Sequence, residues 1–297
     1  MTWRCFRVTY ELWSSLHVGY HRVGNLERTR YYLPARNLWG AVTERLTRAG
    51  FSTKDVSEGD YPGVGAWVQK HCAFTYFYVC EGNGHVLAPQ YTERGLCYGA
   101  LSMAEFERRY LGSHVTTALD AATTSAESGS LHEVEFIAPH AQDGLRTQLR
   151  GLVFLDETAR NILGDESRWG EWLGELQVGG ERRYGFGRLR HPEFIELIED
   201  NPTWEKCSFV LGNDRPRVQT QSGVSLLAHV RADGVAARGQ IEPLVWRETD
   251  RSDSTRFGVR LTSAAVCWAP GSVLEQPATF TVKPSGIWEA ECPSCSD

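Results

Sequence analysis

Glycines, arginines and aromatic residues alternate within one short segment, residues 179–189 (GGERRYGFGRL). Glycine adopts positive φ angles and lets a backbone approach a ligand closely, arginine binds phosphate through a planar fork of donors, and aromatic faces stack on bases. Together these residue types indicate a loop that holds an RNA backbone. The same spacing also fits a glycine-rich hairpin with solvated arginines.

The residues of this glycine loop have separate predicted roles. Four glycines are expected to let the loop approach the RNA backbone: Gly179, Gly180, Gly185 and Gly187. Arg182, Arg183 and Arg188 are expected to contact phosphates. Tyr184 or Phe186 either stacks on a base or anchors the loop in the core. A mononucleotide loop would carry Lys-Ser/Thr at a helix start, and a dinucleotide loop would lie between a strand and a helix, so neither fits.

A second basic segment runs from Ser15 to Gly50. His17 and His21 lie among glycines at a strand-like start, and both are predicted to contact RNA. Pro34 then introduces a helix whose apolar face comprises Leu38, Trp39, Ala41, Val42 and Leu46. A helix N-terminus offers unpaired N–H groups to an anion, so Arg30, Arg36 and Asn37 are expected to bind a neighbouring phosphate.

Other patterns predict the elements that position these segments. Strands are expected at Arg4–Leu12, Ala73–Val79 and Leu145–Leu155, and helices at Ser102–Tyr110, Glu157–Leu163 and Trp169–Leu176. Residues 120–130 are small and polar, which predicts an exposed loop. After residue 201 the chain is richer in strand patterns, at Val224–Val230, Ala237–Trp246, Phe257–Cys267 and Thr279–Val282. We therefore expect two domains, residues 1–198 and a smaller strand-rich domain of residues 199–297.

The overall charge is unusual for a protein that binds RNA. The chain has 297 residues, 41% hydrophobic and 23% charged, with a formal net charge of −6. Arginines nevertheless concentrate between Arg22 and Arg48 and again between Arg182 and Arg190. This distribution predicts a basic binding face on an acidic body, which suits a subunit with neighbours.

Apolar runs and cysteines indicate a cytoplasmic protein. No apolar run approaches the ~18 residues needed to span a bilayer, and residues 1–6 lack the order of a signal peptide. Eight scattered cysteines are typical of a reduced chain. Cys292 and Cys295 form a Cys-x-x-Cys pair without two further nearby ligands for zinc, so neither a metal nor another cofactor is expected.

Three motifs in order resemble one known family. The first is His-x-Gly (His17 to Gly19), a basic loop and a Leu-Pro-x-x-x-Leu-x-Gly-Ala helix start (Leu33 to Ala41). The second, residues 116–137, contains Ala118-Leu119-Asp120 and leads through a polar loop to a strand. The third is the glycine loop. This series is similar to the RAMP proteins of CRISPR effector complexes. The resemblance implies an α+β protein with a ferredoxin-like (RRM-like) fold that binds guide RNA.

Two kinds of RNA cleavage are known in the families that this chain resembles. A histidine can act as acid or base on a ribose 2′-hydroxyl, for which His17 and His21, with Tyr31 or Tyr32, are available. Alternatively, an aspartate before the Leu-Pro helix cleaves target RNA. That loop contains no Asp, its sole carboxylate is Glu27, and the resemblance gives Asp120 no catalytic role. We therefore expect no catalytic residues.

The group of this family that usually lacks nuclease residues holds the 5′ handle of the guide RNA (crRNA) in type III complexes. A glycine loop followed by a strand-rich region resembles that group. The resemblance implies crRNA, a large polymerase-like subunit and backbone RAMP subunits as partners in antiviral defence, with target RNA met indirectly. The alternatives are a RAMP endoribonuclease that processes pre-crRNA or cleaves target RNA, and an interaction scaffold that binds no RNA.

Overall fold

Two large sheets follow each other along the chain, the first within residues 4–198 and the second within residues 203–290. The computed structural model describes residues 2–82, 84–120, 122–127, 129–164, 169–190, 195–198, 202–212, 214–248 and 260–291. The described protein is a mixed α and β structure with several sheets and few helices. Cys292 and Cys295 lie outside the described residues.

The elements up to residue 198 are mostly short. The strands are β1 (Arg4–Leu12), β2 (Gly19–Val23), β3 (Leu26–Thr29), β4 (Tyr32–Leu33), β5 (Cys72–Phe74), β6 (Phe77–Cys80), β7 (Pro89–Thr92), β8 (Gly95–Tyr98), β9 (Leu101–Ser102), β10 (Leu111–Thr116), β11 (His132–Ile137), β12 (Gln148–Leu155), β13 (Glu175–Gln177), β14 (Arg188–Arg190) and β15 (Ile195–Ile198). The helices are α1 (Ala35–Arg48), α2 (Tyr61–His71), α3 (Met103–Tyr110), α4 (Glu157–Leu163) and α5 (Trp169–Trp172).

The elements after residue 198 are strands only, within the described ranges. They are β16 (Thr203–Trp204), β17 (Cys207–Val210), β18 (Arg217–Thr220), β19 (Val230–Arg231), β20 (Ala237–Arg238), β21 (Ile241–Glu248), β22 (Arg260–Trp268), β23 (Val273–Leu274), β24 (Ala278–Val282) and β25 (Trp288–Ala290). None of the described helices is long and apolar enough to cross a membrane.

The first sheet has the strand order β13-β14-β1-β12-β6-β4, with β15 also paired to β1 and β5 to β12. Its centre is the antiparallel pair β1 and β12, in register from Arg4 opposite Leu155 to Glu11 opposite Gln148. The sequence predicts one strand over Ala73–Val79, but the structure has two. Thr75 interrupts the ladder, because its hydroxyl accepts a hydrogen bond from the Leu152 N–H at 2.8 Å.

Helix α1 forms where its apolar spacing predicts it. Pro34 precedes the first turn in an extended conformation, and Leu38, Val42 and Leu46 are buried. The chain turns away at Gly50, which has a φ of +74°. Helix α3 begins with a reciprocal cap in which Ser102 and Glu105 bind each other's backbone N–H groups.

The second sheet has the order β16-β17-β18-β24-β25-β19-β22-β21. The predicted strand Val224–Val230 is wrong, since only Val230 joins a named strand. The preceding residues are mostly buried and share three backbone hydrogen bonds with the 271–274 segment, among them that from the Leu226 N–H to the Ser272 carbonyl at 2.8 Å. The predicted strand Ala237–Trp246 is divided at Gly239, which has a φ of +153°.

The two sheets share one hydrophobic core. Phe154 of β12 packs on Phe209 of β17 with ring centroids 5.3 Å apart. The Tyr78 hydroxyl donates to the Leu227 carbonyl at 2.6 Å. The sheets are therefore joined by buried apolar and polar contacts.

A buried ion network also joins the sheets. Arg30, which precedes β4, pairs with Glu242 of β21 at 2.8 Å. The His229 Nε2–H donates to the same carboxylate, while the Tyr76 hydroxyl donates to His229 Nδ1 at 2.7 Å. Burial raises the pKa of Glu242, but hydrogen bonds from His229 and Arg30 outweigh it and lower the pKa to about 2. Burial lowers the pKa of His229, against the pull of Glu242.

This network predicts a loss of stability in acid. The folded-state pKa of Glu242 lies below its unfolded value, so its stabilisation is present above pH ~5 and is lost as the pH falls toward 2. We expect wild type to lose about 2 kcal/mol more than Glu242→Gln between pH 5 and 3, by urea unfolding. Glu242→Gln should itself be less stable at pH 7 by about 3 kcal/mol, because Arg30 is left buried without its partner.

The matched control is Glu289→Gln, which alters a half-exposed ion pair with Lys283. It should keep the wild-type pH profile. Equal losses in wild type and Glu242→Gln between pH 5 and 3 would contradict the assignment. His229 acts in the same direction at higher pH, because its lowered pKa makes the unfolded state take up the proton first as pH falls.

Candidate nucleic-acid interface

The glycine loop is pinned to the segment that follows β1. A 3₁₀ turn over Arg182–Tyr184 lies between Glu181 and Gly185, which both have positive φ. The Gly187 N–H donates to the Ser15 carbonyl and the Gly180 N–H to the His17 carbonyl, each at 2.8 Å. The Val178 N–H closes the base of the loop onto the Gly187 carbonyl at 2.9 Å. The loop therefore has a fixed position against residues 15–17.

The glycines serve different purposes. A Cβ at Gly179 would lie 2.3 Å from the His17 carbonyl oxygen, and one at Gly187 would lie 1.8 Å from the Val178 carbonyl oxygen. At Gly180 it would lie 3.1 Å from His17 Cδ2. Only open space surrounds the Cβ position of Gly185, at a φ of +85°. The close approach at Gly179, Gly180 and Gly187 is thus to the protein's own chain, while Gly185 is left accessible.

An arginine-lined groove of about 290 Å³ lies between α1 and the hairpin β13–β14. Five arginines and two glutamates line it with Trp13: Arg45, Arg48, Arg182, Arg188, Arg190, Glu44 and Glu175. Trp13 is 44% exposed and belongs to the short link after β1. Arginine in such excess over carboxylate favours an anionic ligand with repeated charges.

The arginines of this arginine groove differ in their partners. Arg182 pairs with Glu44 of α1, and Arg190 pairs with Glu175 at 2.9 Å while lying 3.9 Å from the centroid of the Trp13 ring. Arg188 lines the groove, and Arg183 follows Arg182 in the glycine loop. Both are exposed and form no ion pair with any residue that the structure describes. Those two guanidinium groups are the best placed to bind phosphate.

The two aromatic residues of the loop differ in their exposure and contacts. Phe186 packs edge-on against Phe136 of β11, with centroids 5.6 Å apart. Tyr184 is 76% exposed. Phe186 therefore anchors the loop, and Tyr184 is the aromatic that is free to stack on a base.

The histidines have unlike environments. His17 is buried, and its Nδ1–H donates to the Glu135 carbonyl at 2.7 Å. Its own carbonyl accepts the Gly180 N–H, so His17 packs against the glycine loop. His21 is exposed on β2, edge-on to Tyr20. Tyr31 and Tyr32 are buried, and burial raises the pKa of both phenols, so neither is poised to exchange a proton.

The phosphate site predicted at the start of α1 is divided by the fold. Arg30 is nearly buried in its ion pair with Glu242 and does not line the arginine groove. Arg36 lies over the Trp39 ring at 5.3 Å. Asn37 is half-buried in the first turn, and its N–H donates to the Pro34 carbonyl at 3.0 Å. The structure thus pairs Arg30 with the second sheet, whereas Arg36 and Asn37 remain in the first turn of α1.

Sequence reasoning missed several groove residues. Trp13 and Glu175 carry no local pattern that links them to the loop, because they meet it only through β1 and the β13–β14 pairing. Arg45 and Arg48 could have been found, since they lie three residues apart on the polar face of α1. The described residues contain no cluster of three or more His, Cys, Asp or Glu that could hold a metal ion.

Comparisons with solved structures identify the fold. Residues covering 91% of this chain and 86% of the matched chain superpose on a cryo-EM structure of the type III-B Cmr-beta bound to cognate target RNA and AMPPnP, with 11% identity and a TM-score of 0.55. A second structure, of Cmr-beta bound to cognate target RNA, gives 10% identity, the same coverages and a TM-score of 0.52. A CRISPR protein from Archaeoglobus fulgidus matches with 9% identity, coverages of 93% and 94%, and a TM-score of 0.41, too low to compare folds.

No family model matches the sequence, and no curated protein matches it. At about 10% identity, the resemblance to Cmr-beta chains shows a shared fold.

The contrast between Gly185 and Gly187 yields a test of the loop. Gly185→Ala should cost about 1–2 kcal/mol for its left-handed backbone. Gly187→Ala should cost a further ~1–3 kcal/mol, because the new Cβ overlaps the Val178 carbonyl. Melting temperatures measured by circular dichroism should therefore fall more for Gly187→Ala. Equal losses would contradict the packing role of Gly187.

Proposed function

We propose that this chain is a non-catalytic RNA-binding subunit of a type III-like CRISPR effector complex and holds the 5′ handle of the crRNA. The arginine groove is the observation that carries this proposal. The groove brings Trp13 and five arginines together beside and within the glycine loop, on a chain whose net charge is negative. A local excess of arginine beside aromatic faces is what a single-stranded RNA backbone requires.

The connectivity of the first sheet supports a RAMP-type ferredoxin-like unit. When the elements inserted between them are left out, the chain order is β1, α1, β6, β12, α4 and β14, and these strands lie in the order β14-β1-β12-β6. This is the β-α-β-β-α-β arrangement of ferredoxin-like domains. The shared fold with Cmr-beta chains supports the same class. We propose the strand-rich residues 199–297 as a second, smaller domain.

The geometry favours binding over cleavage. Four groups were available for acid-base catalysis. His17 is buried and hydrogen-bonded to the Glu135 carbonyl, and the side chains of Tyr31 and Tyr32 are buried as well. Of the four, only His21 is exposed. Asp120 lies in an exposed turn, where its carboxylate accepts hydrogen bonds from the N–H groups of Ala122 and Thr123. We therefore assign no catalytic residue.

An exposed apolar face supports a place among other subunits. Ile241, Pro243 and Val245 of β21 lie beside Ala264 and Val266 of β22 on one exposed face of the second sheet. β21 ends the strand order of this sheet. Exposed apolar patches of this kind mark protein contacts. We propose a large polymerase-like subunit and backbone RAMP subunits as neighbours, with target RNA met through the crRNA, in the cytoplasm.

Native purification tests the function directly. The proposal expects the chain to copurify with partner subunits and with short RNA that shares one 5′ sequence, determined by RNA sequencing. His21→Ala should leave the length of that RNA unchanged. A monomer free of RNA and partners would refute the proposal. Metal-independent cleavage of a repeat RNA that His21→Ala abolishes would instead establish the endoribonuclease alternative.

The salt dependence of RNA binding tests the arginines. Each phosphate contact on a single strand contributes about 0.7 to the slope of log affinity against log salt. Replacing Arg183 and Arg188 by alanine should lower that slope by about 1.4 and change sequence preference little. Replacing Arg217 and Arg231, half-exposed on the second sheet, should leave the slope unchanged. Equal slope changes in the two double variants would place the RNA elsewhere.

A further inference from the structure

A second cavity is lined in part by Tyr20 and His21, which follow the His17 segment along the chain. It occupies about 400 Å³ between the strands β2 and β3, the three-stranded sheet β7-β8-β9, and the start of β21. Five tyrosines line it: Tyr20, Tyr31, Tyr32, Tyr91 and Tyr98. Cavities of this size enclose small organic ligands, and aromatic walls favour a planar one.

The polar side chains of this tyrosine cavity are held in fixed positions. Gln240 Nε2–H donates to the Tyr20 hydroxyl at 2.7 Å, and the Tyr91 hydroxyl donates to Gln240 Oε1 at 2.9 Å. The Arg30 guanidinium lies 4.7 Å from the centroid of the Tyr20 ring. The cavity walls are thus pre-organised, which lowers the entropic cost of binding.

The charges of the cavity are compensated, unlike those of the arginine groove. Arg30 is paired with Glu242 at 2.8 Å. Arg28 is paired with Glu107 at 3.1 Å and lies 3.4 Å from Glu135. A phosphate would find no uncompensated arginine there, whereas a neutral planar base would find aromatic faces and amide or hydroxyl groups.

The cavity and the groove lie on one continuous segment. Trp13 lines the groove and Tyr20 lines the cavity, and seven residues of extended chain span at most about 25 Å. Between them, residues 15–17 carry the hydrogen bonds that pin the glycine loop. Because this reach is an upper bound on the distance between Trp13 and Tyr20, the cavity is close enough for one RNA strand to contact both sites.

We propose that the tyrosine cavity binds a single unstacked nucleobase of the RNA whose backbone occupies the arginine groove. The inference rests on the proposed function and deepens it, because it adds a base-binding site to a phosphate-binding one. Tyr20 and Tyr91 supply stacking surface, and Gln240 fixes their orientation. Stacking of one base on an aromatic side chain is worth roughly 1–3 kcal/mol, or about 5- to 150-fold in affinity.

Abasic scanning of an RNA ligand tests this site. The probes are a single-stranded RNA oligonucleotide and copies that each lack one base, bound to wild type and to the Tyr20→Ala/Tyr91→Ala variant. Wild type should lose about tenfold in affinity when one particular base is absent. The variant should bind the intact RNA about tenfold more weakly, show no further loss at that position, and keep the wild-type salt slope.

The controls separate packing from base recognition. Tyr61→Ala removes a 43% exposed tyrosine that does not line the cavity, and it should retain the wild-type scan. If the alanine variant proves unstable, Tyr20→Phe/Tyr91→Phe keeps the rings and should keep the position-specific loss. Melting temperatures verify the fold of each variant.

The other outcomes have defined meanings. Two outcomes would overturn the base site and leave the proposed function standing. In the first, the affinity losses from the tyrosine substitutions and from the missing base are additive. In the second, wild type binds intact RNA but loses no affinity at any particular abasic position. Failure of wild type to bind intact RNA would instead count against the proposed function. Binding of a free nucleoside monophosphate that the variant loses, without an effect of any abasic position, would assign the cavity to a free nucleotide. Loss of a copurifying protein at unchanged RNA affinity would assign it to a partner side chain.

Discussion

The contact between the glycine loop and residues 15–17 is the constraint on which the candidate interface depends. Two backbone hydrogen bonds, from Gly180 to His17 and from Gly187 to Ser15, hold the loop beside the end of β1. A side chain at Gly179 or Gly187 would overlap carbonyl oxygens of the protein. Because the loop is held there, β14 pairs with β1 and Arg182 reaches Glu44 of α1, which closes one wall of the groove.

The partner of each arginine decides what that arginine does. Arg30 and Arg28 are neutralised by carboxylates and support the packing of neighbouring elements. Arg183 and Arg188 are exposed and lack an ion-pair partner among the described residues. A net charge of −6 is therefore compatible with an anionic ligand, because the excess of positive charge is local and most acidic residues lie elsewhere.

The two sheets are linked by more than an apolar contact. Glu242 of the second sheet is held between Arg30 and His229, and Tyr76, in the break between β5 and β6, binds His229 through its other ring nitrogen. Removing any one member would leave a buried polar group unsatisfied, so the network specifies how the sheets fit together. The tyrosine cavity lies beside this network and takes walls from both sheets' strands and from the small sheet β7-β8-β9.

The sequence by itself determined the local features. Apolar spacing and Pro34 predict α1, Ser102 and Glu105 mark the start of α3, and the glycines of residues 179–187 mark a loop beside arginines. These signals are readable because caps, periodicity and glycine act over a few residues. The apolar run at residues 224–230 misled the prediction, since burial beside residues 271–274 produces the same pattern without a continuous strand.

Only the tertiary structure decided which predicted residues work together. Arg30 meets a carboxylate 212 residues away and Arg182 one 138 residues away, so no local pattern shows that these arginines are paired. Nor does a local pattern show which atoms the loop glycines approach, and these proved to belong to His17 and Val178. Charge pairing and steric exclusion are set by distances in space, and sequence spacing fixes those distances only within single elements.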